Sequence, residues 1–112
     1  MKKVVAIIRA AKFEAVKEAL AGVGVYFFTY YEVRGFGLQR GEQIVYRGAV
    51  YDMGYIARYK LEIILAEDKV SDVVKTIIAT AKTGEIGDGK VYVESLEGVY
   101  RIRTGEEGKS AI

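Results

Sequence analysis

Tyr59-Lys60-Leu61-Glu62-Ile63-Ile64-Leu65-Ala66, then Glu67-Asp68-Lys69, then Val70-Ser71-Asp72-Val73-Val74-Lys75-Thr76-Ile77-Ile78-Ala79-Thr80-Ala81, is the stretch that decides the fold. In its first part Leu61, Ile63 and Leu65 alternate with Lys60, Glu62 and Ile64, the period of two expected of a strand with one buried face. In its second part Val70, Val73, Val74, Ile77, Ile78 and Ala81 recur at i, i+3, i+4, i+7, i+8 and i+11, an apolar stripe along one side of a helix. Asp68 stands where an N-cap would, its carboxylate available to the first free N–H groups. Gly84 and Gly87 are expected to end the helix, and Lys90–Glu94 to supply the next strand.

The same pattern lies upstream. Lys3–Arg9 is apolar enough for a buried strand, and Lys12–Ala21 carries Phe13, Val16 and Leu20 at helical spacing. Gly22 and Gly24 are read as its stop, and Val25–Arg34 as a second strand rich in aromatic and β-branched residues. Two β-α-β units in tandem predict an α+β, ferredoxin-like βαββαβ sandwich, four strands with two helices on one face. In Val25–Tyr31, Tyr26, Phe28 and Tyr30 would point one way, Phe27 and Tyr31 the other. The uncovered sheet face is therefore expected to be broad and apolar, and oligomerisation would cover it.

Residues 1–112 read as a single domain. Between the units runs a connection from Gly35 to about Arg58, a length that in a compact domain is commonly functional or disordered. Its middle, Gln43–Tyr51, can form a hairpin. Val99–Arg103 reads as a short segment ahead of the tail. Residues 104–112 read as a mobile polar tail, with Glu106 and Glu107 as solvating charges.

Composition narrows the chemistry. With no Cys and no His, disulfides, thiol catalysis and the usual zinc sites are excluded, leaving a hard cation such as Mg²⁺ on oxygen ligands. A net charge of +2 does not suit non-specific nucleic-acid binding. The apolar runs are short and broken by charge, so no membrane span and no secretory leader is expected, and the cytoplasm is the default.

Against that background three glycine-and-cation segments stand out: Gly35-Phe36-Gly37-Leu38-Gln39-Arg40-Gly41, Thr83-Gly84-Glu85-Ile86-Gly87-Asp88-Gly89-Lys90, and Arg101-Ile102-Arg103. Glycines admit a ligand close to backbone N–H groups, and Lys and Arg donate charge-assisted hydrogen bonds to phosphate. On spacing alone, Gly87–Lys90 is equally a helix-to-strand turn with an exposed lysine. Arg101 and Arg103, two apart, share a face if extended, which suits either a polyphosphate or a solvated edge strand. No nucleophile accompanies them, so the pattern reads as a nucleotide-binding switch and not as an enzyme.

Several runs together, Gly35-Phe36-Gly37 with Gln39, Tyr46-Arg47-Gly48-Ala49, Thr83-Gly84-x-Ile86-Gly87-Asp88-Gly89-Lys90 and Arg101-Ile102-Arg103-Thr104-Gly105-Glu106, resemble the PII signal-transduction proteins over essentially the whole chain. The resemblance implies a non-enzymatic homotrimer with nucleotide sites in the clefts between subunits, regulating nitrogen metabolism. ATP and ADP would compete there, and Mg-ATP would support binding of 2-oxoglutarate. It implies nucleotide contacts from Thr29, Gly35, Phe36, Gly37, Leu38, Gln39, Ile64, Gly87, Asp88, Gly89 and Lys90. Arg101, Ile102 and Arg103 would reach in from the neighbouring subunit. Gln39 would ligate Mg²⁺, and Arg9, Gln39, Arg40, Gly41, Arg58 and Gly87 would meet 2-oxoglutarate. The loop of residues 37–57, with Arg47 and the uridylylation candidate Tyr51, would contact an ammonium transporter, a metabolic enzyme or a regulator, the transporter recruiting the protein to the membrane.

The chain departs from the family pattern at Leu38, where arginine is frequent, at Arg40 and Arg58, where lysine is usual, and at Ala10-Ala11 and Ala57. A divergent nucleotide sensor with a different second ligand is therefore the alternative. An acylphosphatase-like hydrolase of the same fold would lean on an Asn that this chain lacks. An RNA-binding sheet is disfavoured by the near-neutral charge.

Overall fold

The computed structural model describes residues 1–37, 43–46, 49–52 and 54–112, and the side chains of 1–36 and 57–112. Six strands and two helices follow in the order β1 (Lys2–Arg9), α1 (Phe13–Gly22), β2 (Thr29–Gly37), β3 (Gln43–Tyr46), β4 (Ala49–Asp52), β5 (Gly54–Leu65), α2 (Val70–Ala81) and β6 (Gly89–Ser95). β2, β5, β1 and β6 form one sheet in that order, antiparallel throughout. Leaving aside the β3–β4 insertion, this is the ferredoxin-like βαββαβ topology.

The core lies between the helices and one sheet face. Val4, Ala6 and Ile8 of β1 and Leu61, Ile63 and Leu65 of β5 meet Phe13, Val16 and Leu20 of α1 and Val73, Ile77 and Ala81 of α2. Each fully buried Leu, Ile or Val contributes about 1.5–3 kcal/mol of transfer free energy. The predicted stripe of α2 is the one buried, except that Ile78, at its margin, is half exposed.

Several expectations are corrected. Asp68 caps nothing: Glu67–Lys69 is a 3₁₀ turn, α2 starts after it at Val70, and neither has a side-chain cap bond. Gly22 belongs to α1, and it is Gly24, with φ +86°, that turns the chain away. Gly84 and Gly87 shape the loop beyond α2, which already stops at Ala81. β2 begins at Thr29 instead of Val25, so the strict alternation across Val25–Tyr31 fails. Tyr26 and Phe27 are largely exposed, while Phe28 packs against the core.

Register also changes the reading of the uncovered face. It carries Val5, Ile7, Tyr31, Ile64 and Tyr92, but among them Lys3, Lys60, Glu62, Lys90 and Glu94. Lys3 Nζ lies 3.6 Å from both Glu62 and Glu94, and Lys60 sits over the Tyr31 ring. The face is a mosaic of charges and apolar side chains, less apolar than the sequence predicts.

The long connection resolves into extensions of β2 and β5, paired as far as Gly37↔Gly54, and the predicted hairpin, β3 with β4, paired from Gln43↔Asp52 to Tyr46↔Ala49. The molecule measures 60 × 24 × 19 Å. Among the described residues no helix is long and apolar enough to cross a membrane.

Candidate functional site

Arg9 ends β1 and pairs in register with Arg58 of β5, so both side chains leave the sheet on the uncovered face. Arg58 is only 8% exposed. Room for it comes from glycines on three segments. A Cβ added at Gly35 would meet its Nε at 3.3 Å, one at Gly87 its Nη2 at 3.3 Å, and one at Gly89 its Nη1 at 3.5 Å. Arg58 Nη1 donates to the Gly87 carbonyl. These glycines therefore give Arg58 a bed, a use of small residues that the motif alone does not disclose.

Arg9 converges on the same point, its Nη2 3.4 Å from the Cβ position of Gly87. Its Nε donates to Asp88 Oδ1 at 3.0 Å and its Nη2 to the Ile86 carbonyl at 2.9 Å. Asp88 also accepts from the Thr83 hydroxyl, the Thr83 N–H at 2.9 Å and the Gly84 N–H at 2.9 Å. The Thr83 bonds above all, with Arg9 and Gly84 adding, hold the Asp88 carboxyl far below the usual carboxylate range. Burial lowers the Arg58 guanidinium, the Arg9 charge lowers it further, and Asp88 opposes both. Two guanidiniums thus face one carboxylate, leaving local positive charge at Gly87, the condition for holding an anion.

At the other end of the same face, Thr29 pairs with Glu62, and Ile64 stands two residues beyond it. Both line a groove of about 890 Å³ with Val25–Phe28, Lys69 and, from the end of the chain, Lys109, Ala111 and Ile112. Arg58 and Ile64 are six residues apart on β5, roughly 20 Å along the strand. A half-apolar groove and a cationic glycine loop therefore lie at the two ends of one strip of sheet. Lys90, opposite Ile7 on β6, is exposed on that face and makes no ion pair among the described residues.

The C-terminal segment is not extended, the condition on which a shared face for Arg101 and Arg103 depended, and it is not a free tail. Ile102–Thr104 is a turn, enclosed by Arg101 N–H to the Glu106 carbonyl at 2.8 Å and Gly105 N–H to the Arg101 carbonyl at 2.7 Å. Tyr100 bridges to Glu107, and Gly108–Ala111 is a 3₁₀ turn. Glu106 is not merely a solvating charge: it pairs with Arg101 Nη1 at 3.4 Å, and Arg101 Nη2 donates to the Ile112 oxygen at 3.4 Å. Within one chain the described contacts of Arg101 are thus with its own C-terminus, while Ile102 and Arg103 are exposed.

One chain therefore gathers Arg9, Gly35, Arg58, Gly87, Asp88 and Gly89 at one end and Thr29 and Ile64 at the other. Phe36 is exposed beside the first group, and Gly37 ends β2. Leu38, Gln39, Arg40, Gly41 and Arg47 lie outside the described residues, as does the side chain of Tyr51. Sequence reasoning quoted Thr83 within the motif but gave it no role, though its place five residues before Asp88 in a glycine-containing loop is a signal for a carboxylate partner. It also passed over Glu62 and the C-terminal residues, which only the register and the closed turn bring to the groove.

The family described as Nitrogen regulatory protein P-II matches residues 1–106. The chain belongs to the P-II family. It is 50% identical over 112 residues to Nitrogen regulatory protein P-II 1 of Escherichia coli (strain K12), covering all of both chains. It is 46% identical, again with full coverage of both, to Nitrogen regulatory protein P-II of Pasteurella multocida (strain Pm70). Among solved structures, Arabidopsis thaliana PII bound to citrate is 39% identical with a TM-score of 0.79, over 98% of this chain and 87% of that one. Membership of the P-II family makes this a signal-transduction regulator of nitrogen metabolism and not an enzyme.

Proposed function

We propose that this P-II protein is a nucleotide-sensing homotrimer that binds ATP and ADP in inter-subunit clefts, takes up 2-oxoglutarate with Mg-ATP, and controls its targets through residues 37–57. The observation that carries this is the strip of sheet joining the Thr29–Ile64 groove to the paired guanidiniums at Gly87. A groove with apolar walls suits a base; an exposed Lys90 beside a glycine loop suits phosphates; two arginines suit a carboxylate. Arg101 and Arg103 of a neighbouring copy would complete the phosphate side, and Gln39 would ligate the nucleotide-bound Mg²⁺. The targets would be an ammonium transporter, a metabolic enzyme or a regulator, met in the cytoplasm or at the membrane where the transporter sits.

A second reading keeps the nucleotide and changes the other ligand. Arg58 in its glycine bed, with Arg9 beside it, offers planar forks that would also accept a larger polycarboxylate, and the Arabidopsis relative is bound to citrate. Calorimetric titration of ATP with Mg²⁺, alone and with saturating 2-oxoglutarate or citrate, decides. ATP binding tightened by 2-oxoglutarate is the expected result, and tightening by citrate alone favours the second reading. Absence of ATP and ADP binding rejects both.

A further inference from the structure

Asp88 stands in the loop that faces the ligand end of the strip, yet its carboxylate is turned inward. Oδ1 accepts from the Thr83 hydroxyl and from Arg9 Nε, and Oδ2 accepts from the Thr83 and Gly84 N–H groups. The Thr83 hydroxyl oxygen in turn accepts from the Glu85 N–H at 3.1 Å. Thr83 is thus tied to Asp88 at two points and to the chain two residues on. On the far side of Asp88, the same carboxylate holds Arg9, and Arg9 reaches back to the Ile86 carbonyl. The consequence is geometric. Arg9 is a long, flexible side chain at the end of β1, and among the described residues no bond from β1 directs its guanidinium to Gly87. The Asp88 carboxylate does, together with the Ile86 carbonyl, from a loop 79 residues away in sequence.

We propose that Thr83 and Asp88 are positioning residues, which lock the loop after α2 and through it set the Arg9 guanidinium beside Arg58 at Gly87, so that the two cations receive one carboxylate of the second ligand together. The positioning rests on the hydrogen bonds above, and its use in ligand binding rests on the reading that the Gly87 end takes an anionic second ligand. The Thr83 hydroxyl is the point at which the device can be broken without altering charge. Thr83→Val keeps shape and removes both hydroxyl bonds, leaving Asp88 two backbone donors and Arg9. Thr83→Ser keeps the hydroxyl.

The test has two independent readouts on the full-length protein. The first is the Nε–H resonance of Arg9 in the ligand-free protein, assigned by its loss in Arg9→Lys. It should be shifted and slow to exchange with water in wild type and Thr83→Ser, and in Thr83→Val, where the loosened carboxylate holds Arg9 less firmly, should move toward the position of free arginines and exchange faster. An unchanged Arg9 signal in Thr83→Val overturns the positioning role. The second is calorimetry of 2-oxoglutarate and of citrate into the protein saturated with Mg-ATP. The dissociation constant of whichever anion wild type binds should rise about tenfold in Thr83→Val, the loss expected for one misdirected charge-assisted hydrogen bond, and recover in Thr83→Ser. A change below twofold overturns the ligand role. If wild type binds neither anion, the second-ligand reading fails, and the Arg9 resonance still decides whether Thr83 and Asp88 hold Arg9.

Discussion

Gly89 shows how a residue can be legible in sequence for one reason and required in structure for another. In the motif it reads as space for a phosphate. In the fold its φ is +100°, and a Cβ there would fall on the Ile7 carbonyl, with the Ile7 carbonyl carbon at 2.8 Å. Both obstacles are backbone, so no side chain can swing away to relieve them. Gly84, with φ +89°, has nothing within 4 Å of its Cβ position and would suffer only the left-handed conformation. Gly84→Ala should therefore cost about 1 kcal/mol, and Gly89→Ala about 3 kcal/mol or more, since the clash adds to the strain. Urea unfolding of the two variants checks this; equal costs would mean that the Ile7 contact is relieved by a shift of β6. Arg58 was legible as a cation, but not as a buried one. Its burial comes from glycines 35, 87 and 89, which only the folded register assembles.

At the scale of elements, both helices and the four strands of the main sheet were legible because their periodicities are unmixed, and what the sequence misplaced were boundaries and loops. The start of β2 moved from Val25 to Thr29 because aromatic residues satisfy strand and exposed-loop readings alike. The loop from Thr83 to Asp88 looked like a simple glycine turn and is a hydrogen-bonded unit built on one carboxylate. That unit should be pH-sensitive. A carboxyl held low in the fold contributes stability that is fully present above its unfolded value, about 3.9, and is lost as pH falls through the folded value. The Tm difference between wild type and Asp88→Asn should be constant from pH 7 to about pH 5 and shrink progressively below about pH 4. Thermal melts across that range measure it, and a difference that persists undiminished at the acid end would show that the Asp88 charge is not what closes the loop.

For the whole molecule, one chain holds both ends of the candidate strip but directs Arg101 to its own Glu106 and C-terminus. No composition or periodicity could decide whether these arginines serve their own chain or a neighbour, because that is a property of assembly. If the nucleotide cleft lies between copies, Lys90 and the Arg101–Arg103 pair belong to different chains of one site. Two variants separate the possibilities. Lys90→Ala should lose the phosphate side of its own cleft, and the double change Arg101→Ala, Arg103→Ala the side it lends, each weakening ATP binding at least about tenfold. Unfolded and refolded together in equal amounts and assembled at random into the proposed trimer, the two would leave about a quarter of the clefts pairing an intact Lys90 with intact arginines. ATP titration of that mixture should recover about a quarter of the wild-type sites at wild-type affinity, whereas neither variant refolded alone recovers any. Were the arginines to act within their own chain, every cleft in the mixture would lack one partner and no high-affinity sites would return.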